Sequence, residues 1–488
     1  MKKRYIYTLA AALVWVGAGC NKYKDFGNVN QNPGATTKPI TAALLTNAEL
    51  SIVGLSTTGT PAISGGQYAQ YFSETQYSGT SLYNLPQNDF TGYYSGVLYD
   101  LQNIININES KATSAVAKII QQYVYWVLTD SWGDLPYSEA LKGLDAIQPK
   151  YDTQEDIYKG IINTLTSAQA ELDGSSLAGD IFYNGDVASW KRAANSIKLL
   201  AAVQLSKRYP DASGFAATAA KEAIAAKVIE DNSQNLQVNY PGGSFKSPWY
   251  NLYDGRKDFG ESKTMTDLLK SYNDGRIATY GGAGEAIGNT ASSDIGVTYG
   301  LARNNVLAFI EANPTWARVL RGDFRTQAST ATIITAGEVY LARAEAAYLG
   351  WTNEAVNTNY EAGITASYRQ WGLNVSSSYL SGSNVALSTS GKSASDYAKI
   401  SIQRWIASYP DGHQAWNIWR KTATEANPKG YPALDPAPDA VNSSKKIVSR
   451  FVYPTAEYST NEAHVKEAAA RLTGGDTQDA HVWWDLDK

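Results

Sequence analysis

Six apolar residues between positions 116 and 127, Val116, Ile119, Ile120, Tyr123, Val124 and Val127, follow the spacing i, i+3, i+4, i+7, i+8, i+11. That is the stripe of a helix buried along one face. The same period recurs over 40–55, 92–109, 154–172, 189–207, 216–229, 336–349 and 354–370, whereas the alternation of a half-buried strand is sparse and short. The spacing therefore predicts an all-α chain. In the segment 339–350, alanines at helical spacing let a second helix approach closely, and 354–367 supplies that helix after a short turn. This is the logic of a tetratricopeptide-like hairpin, although no strict repeat period is present.

Between these helices run long polar stretches rich in Gly, Ser and Tyr: 73–89, 239–263, 280–305 and 375–395. Loops of such length in a compact chain are either functional or disordered. The chain carries 33 Tyr and 13 Trp against 10 Phe, an excess of rings with a polar edge, and several sit in the middle two stretches. A sugar presents an apolar C–H face and a rim of hydroxyls, so its expected site is a stacking ring flanked by amide or guanidinium donors. Trp249, Tyr250, Tyr253, Tyr280, Tyr299, Arg303 and Asn304 have that chemistry and form the expected ligand-binding set. Trp132, Trp190 and Trp484 are assigned to packing.

The N-terminus reads as a secretory leader. Lys2, Lys3 and Arg4 precede an apolar run from Leu9 to Val16, too short to span a bilayer, and Gly17-Ala18-Gly19 leads to Cys20. Cys20 is the only cysteine, which excludes an internal disulfide and a thiolate cluster. Its place matches a bacterial lipobox, except that Gly17 stands where Leu is usual. The expected organisation is a signal peptide over 1–19, lipidation at Cys20 with a tether over 20–38, and a single domain over 39–488. Acyl chains contributing about 0.8 kcal/mol per buried CH₂ would hold such a protein on a membrane almost permanently. A leash of this length has a root-mean-square reach of about 20–25 Å.

Composition and motifs narrow the function. With 42 Lys+Arg against 46 Asp+Glu and a net charge of −4, no basic field exists to hold nucleic acid. Gly391-Lys392-Ser393 imitates the end of a phosphate loop, but Ala386 occupies the required upstream glycine position. Gly282-Ala283-Gly284 begins a dinucleotide fingerprint that fails at Ile287. His413, His464 and His481 lack zinc-site spacing, and neither a calcium loop nor a nucleophile elbow is present. The chain is expected to be no enzyme and to need neither cofactor nor metal. Asp130 and Asp134 form a carboxylate pair, but Gly133 and Pro136 make that segment read as a helix terminus.

The segment Asp130-Ser131-Trp132-Gly133-Asp134-Leu135-Pro136-Tyr137 resembles the D-x-[WF]-G-D-[VL]-P-Y stretch of the SusD/RagB family of nutrient-binding lipoproteins. Further similarities follow in the family's order. They are Asn30-Gln31-Asn32-Pro33, the helix Trp190-Lys191-Arg192-Ala193-Ala194-Asn195-Ser196-Ile197-Lys198, and Ser262 to Met265 with Asp274-Gly275-Arg276, where Gly275 replaces the usual Pro. The helix containing Glu338-Val339 and Ala344-Glu345-Ala346 follows, and then Arg450 to Pro454 with Trp483-Trp484-Asp485, as in the SusD-like 2 branch. The resemblance implies four tetratricopeptide-like hairpins, an irregular ligand face and a position over a SusC-like TonB-dependent outer-membrane transporter. It also implies capture of a glycan or, as in RagB, a peptide. A helical surface glycoside hydrolase is the alternative from another class, and it needs two convergent carboxylates.

Overall fold

The computed structural model describes residues 39–84 and 88–486. The expected signal peptide, Cys20 and tether lie outside the described residues. Fourteen helices of nine or more residues organise the described chain: α1 Thr41–Val53, α2 Thr60–Tyr68, α3 Val97–Ile107, α4 Lys111–Trp132, α5 Gln154–Glu171, α6 Val187–Gln204, α7 Phe215–Ala225, α8 Lys263–Tyr272, α9 Arg303–Ala312, α10 Ala336–Tyr348, α11 Val356–Gln370, α12 Ala394–Ala407, α13 Gly412–Thr422 and α14 Glu462–Ala470. Four consecutive pairs, α4/α5, α6/α7, α10/α11 and α12/α13, pack as hairpins, and α5 on α6, α6 on α10 and α10 on α12 join them into one stack. The fold is the expected helical-hairpin scaffold.

Local chemistry sets the boundaries. Ser110, Thr153, Asp186, Ser262 and Asp411 cap helix N-termini with side-chain oxygens, and Thr335 with Glu338 closes a full capping box on α10. The close approach of α10 and α11 rests on glycine as well as the expected alanines: a Cβ on Gly363 would stand 2.6 Å from Leu341 Cγ and 3.1 Å from the Gly337 carbonyl. The period over 92–109 is interrupted, because a short helix Thr91–Ser95 ends at Gly96 before α3 begins. The period over 216–229 stops early, at Ala225. Among the described residues eight short strands pair only two by two, all antiparallel: β1 Phe72–Glu74 with β5 Phe259–Glu261, β2 Leu135–Pro136 with β3 Tyr151–Asp152, β4 Leu236–Val238 with β8 Ala331–Ile334, and β6 Gly281–Gly282 with β7 Arg318–Val319. They staple the long loops to the helices.

The motif residues are cross-links of this scaffold. Asp130, fully buried at the end of α4, accepts hydrogen bonds from Trp484 Nε1 at 2.9 Å, Asn417 Nδ2 at 2.7 Å and the Tyr158 hydroxyl. It thereby ties α4 to α5, α13 and the C-terminal segment, and burial pushes its carboxyl up to about 7. Gly133 ends α4 at φ +92°, a conformation that strains any residue with a Cβ. Asp134 is taken by Arg471 Nε at 2.5 Å and the Gln154 N–H at 2.7 Å. Both carboxylates of the pair are structural. Asn195 Nδ2 donates to the Ala226 and Lys227 carbonyls, satisfying the open C-terminus of α7. Arg276, buried, holds Asp274 through two bonds of 2.9 and 2.6 Å and reaches Ser367 on α11 and Gln403 on α12. Gly275 uses its N–H to donate to the Tyr368 hydroxyl at 3.0 Å, a bond that the family's Pro could not make. Trp132, Trp190 and Trp484 are fully buried, as assigned.

One buried acid makes stability depend on pH. Glu49 on α1 accepts the Ile181 N–H at 2.6 Å and meets Asp180, which already accepts four N–H donors, including Trp190 Nε1 at 3.0 Å. Burial, then repulsion from Asp180, pushes the Glu49 carboxyl from 4.5 up to about 10, so the folded protein keeps a proton that the unfolded chain loses. A group with a raised folded value contributes most below its unfolded value, and stability then falls as pH rises from 4.5 toward about 10. Gln keeps the donor toward Asp180 without ionising. Glu49→Gln is expected to flatten this decline, so that at pH 8 the variant has the higher urea midpoint and at pH 4 the two proteins are close. A steeper decline in the variant would contradict the assignment.

Candidate ligand-binding face

Four segments that the sequence separates widely, 72–84, 256–261, 299–305 and 435–441, converge on one surface. β1 pairs with β5, and the Thr75 N–H continues the ladder to the Asp258 carbonyl at 2.8 Å. Arg303, in the first turn of α9, donates from Nε to the Gln76 carbonyl at 2.8 Å. Asp439 accepts the Ala302 N–H at 2.7 Å and donates its own N–H to Gly300, and the Val441 N–H reaches the Leu82 carbonyl at 2.9 Å. These contacts hold the loops in place and leave the Tyr77 and Asn304 side chains outward.

Tyr77 stands on this surface with 67% of its area exposed, next in sequence to Gln76, whose carbonyl Arg303 holds, and Arg303, Asn304 and Asn305 are all exposed. The layer beneath is aromatic and buried: Tyr299 meets the Tyr83 hydroxyl, Tyr83 packs against Tyr68, and the Ala437 N–H donates to Tyr83. Glu74 lies in this layer, where burial pushes its carboxyl up to about 7 while it accepts the Ser81 N–H at 2.8 Å. An exposed ring next to a planar cation and two amides can stack on an apolar C–H face and bond hydroxyls around it. His413 is buried within α13, while His464 and His481 are bonded to Asn461 and Asp485. Among the described residues no group of three or more His, Cys, Asp or Glu is placed to hold a metal ion.

The seven residues expected to bind ligand divide by environment. Arg303 and Asn304 are on the exposed face, with Tyr299 directly behind it. Tyr250 is buried to 9% exposure under the Lys246 ammonium, 4.8 Å from the ring centroid. Tyr253 is spent on the fold: its hydroxyl donates to the Phe259 carbonyl at 2.6 Å, accepts the Val319 N–H at 2.8 Å, and its ring lies under Arg325. Tyr280 is fully buried, stacked on Tyr409 at 4.2 Å with its hydroxyl donating to Ile406, and presents no ring face. These two are corrections to the expectation: a Tyr in a long loop signals its polar edge in the sequence, not which way the ring turns. Trp249 is buried but borders a cavity of about 480 Å³ with Trp371, Phe324 and Tyr409. Tyr77 was not singled out, although it is the one ring in the polar run Ser73 to Thr80, the context that leaves a ring without apolar neighbours.

Comparison with known proteins follows the same lines. The profile of the SusD-like 2 family, described as starch-binding associating with outer membrane, matches residues 33–454. No curated protein sequence matches. Among solved structures, a chitin-binding protein is 26% identical with a TM-score of 0.75, covering 92% of this chain and 100% of its own. A SusD homologue from Bacteroides uniformis is 26% identical with a TM-score of 0.76, covering 91% and 99%. A chitin-binding SusD homologue from Flavobacterium johnsoniae, at 23% identity and a TM-score of 0.77 over 92% and 98%, shares the fold. Among the described residues no helix is long and apolar enough to cross a membrane. With the family profile spanning most of the chain and the hairpin scaffold assembled from the family's own motif residues, the protein belongs to the SusD-like family.

Proposed function

We propose that this protein is a non-catalytic, surface-facing glycan-capture lipoprotein, acylated at Cys20 and tethered through residues 20–38, whose single domain over 39–488 passes oligosaccharide to a SusC-like TonB-dependent transporter in the outer membrane. The observation that carries the reading is the exposed Tyr77–Arg303–Asn304 face, built on a scaffold similar to that of a chitin-binding protein at 26% identity. N-acetylglucosamine oligomers are accordingly the first ligands to test, with starch oligomers second. The face favours sugar over the RagB-like alternative of peptide, because ring, guanidinium and amides lie together in the open rather than along a strand edge that a peptide could extend. It favours capture over hydrolysis because the carboxylates of its segments are engaged: Asp258 by Arg256 at 2.6 Å, Asp439 by the Ala302 N–H, and Glu74, below the surface, by the Ser81 N–H at 2.8 Å.

Tethering replaces a bimolecular search by a high effective concentration, so contacts between the protein and a transporter can stay weak and reversible. A deletion strain supplied with the protein at equal abundance as wild type or Cys20→Ala tests this reading. On limiting oligosaccharide the lipidated form is expected to restore growth and the Cys20→Ala form to restore little, while on monosaccharide the strains grow alike. Full growth with Cys20→Ala would separate the protein from delivery, and full growth with no copy at all would remove it from glycan use.

A further inference from the structure

Trp249, in the 239–261 segment, borders a cavity that Asp258 does not line. Its walls are the β4–β8 pair, the C-terminus of α11, the loop 320–330 and the turn joining α12 to α13. At about 480 Å³ it falls in the range of small-ligand sites. The wall contains an unusual concentration of unsatisfied chemistry. Asn232 Oδ1, Gln370 Oε1, Trp371 Nε1 and Asp411 Oδ2 are all sealed from solvent without a protein partner, and all four residues line this one cavity. A buried polar group left unpaired costs about 1–3 kcal/mol, so natural folds keep few of them, and a cluster around one cavity asks for an occupant.

The atoms also define the occupant's chemistry. Trp371 Nε1 can only donate, while the amide oxygens of Asn232 and Gln370 can only accept. Asp411 is buried beside Glu338, its other oxygen used by the Gln414 N–H at 3.1 Å, and burial followed by the neighbouring Glu338 holds its carboxyl well above the usual range. Arg369 and Asp323 also line the cavity, so charges of both signs border it. A ring N–H donor and two amide acceptors, next to the rings of Trp249, Trp371 and Phe324, suit an uncharged molecule with an apolar face and a polar rim. We propose that this cavity is a second binding site, distinct from the Tyr77–Arg303 face, which takes the terminal unit of an oligosaccharide through hydroxyl or amide groups. The identity of the ligand rests on the carbohydrate reading above, and the existence of the site does not. Gln370, the last residue of α11, and the adjacent Trp371 have these polar atoms just behind the cavity wall, so the proposal requires their side chains to turn toward an entering ligand.

The test uses the full protein labelled with ¹⁵N-tryptophan, the Trp371 indole signal being assigned with Trp371→Phe. N,N′-diacetylchitobiose and maltose are titrated to millimolar concentration into three proteins: wild type, the Tyr77→Ala/Arg303→Ala double variant, and Ala328→Trp, which fills the cavity from an exposed wall position. At least one sugar is expected to shift the Trp371 indole N–H in wild type and equally in the double variant, and Ala328→Trp is expected to weaken that response about tenfold or more. An indole signal that neither sugar moves, or one that moves only while Tyr77 and Arg303 are intact, overturns the second site. A response that survives in the double variant while overall affinity also stays unchanged would fail the exposed face instead and leave the cavity standing.

Discussion

Replacing Glu345 by Ala is expected to lower the free energy of unfolding by about 3–5 kcal/mol, a large fraction of the roughly 5–15 kcal/mol that holds a typical domain together. Glu345 is fully buried on α10, one carboxylate oxygen bonded to Arg404 on α12 and the other to Lys421 on α13. Lys421 Nζ also donates to the Val203 carbonyl on α6 at 3.2 Å, so one acid joins the three helices at the centre of the stack to a fourth. Burial alone would push the Glu345 carboxyl up, but Lys421 and then Arg404 outweigh it and hold it below its ordinary value. Lys421 moves the other way, lowered by burial to about 8. Removing the acid leaves two desolvated cations facing each other, which is far costlier than losing the attraction itself. Urea unfolding gives the readout. Adding Lys421→Met to Glu345→Ala is expected to recover part of the loss, because it removes one uncompensated charge. A change below about 1 kcal/mol in the single variant would mean that water reaches the triad.

That centre shows where sequence reading succeeds and where it stops. The periodic segments that became α4, α5, α6, α10 and α11 were legible because each carries apolar residues at helical spacing, although α4, α6 and α10 are buried on nearly every side, and the hairpin of α10 with α11 followed from their small residues. α13 was not legible. Its sequence, GHQAWNIWRKT, offers only a short stripe, Ala415, Ile418 and Trp419, yet every residue from Gly412 to Thr422 is buried, since Asn417 and Arg420 satisfy partners on other elements instead of facing water. The buried charges of Asp130, Arg276 and Glu345 were visible only as members of family motifs, because a lone acid or base in a helix ordinarily reads as solvated surface. The same limit divided the expected ligand residues. The stretches 239–263 and 280–305 do border the cavity and the exposed face, and of the residues expected to bind ligand Arg303 and Asn304 are exposed. Tyr253 and Tyr280 have the same composition around them but point inward, a choice set by contacts with Phe259, Val319 and Tyr409, distant or simply unspecified in the sequence.

The second large effect concerns binding. Tyr77 and Arg303 are expected to supply the stacking surface and the charged donors of the glycan face, and truncating two such exposed groups at the centre of a small site costs about 2–3 kcal/mol, or roughly 30- to 150-fold in affinity. Neither side chain supports the core. Tyr77 projects into solvent, and Arg303 gives the fold a single bond to the Gln76 carbonyl, so thermal stability should stay within the range of ordinary surface substitutions. The most direct test is a calorimetric titration of the purified protein with N-acetylglucosamine and starch oligomers, run for wild type and for Tyr77→Ala/Arg303→Ala. Saturable binding of at least one oligomer by wild type, with a loss of about 30-fold or more in the double variant at unchanged melting temperature, is the predicted result. Equal affinity in the two proteins, or no binding of any oligomer by the wild type, would contradict glycan capture at this face.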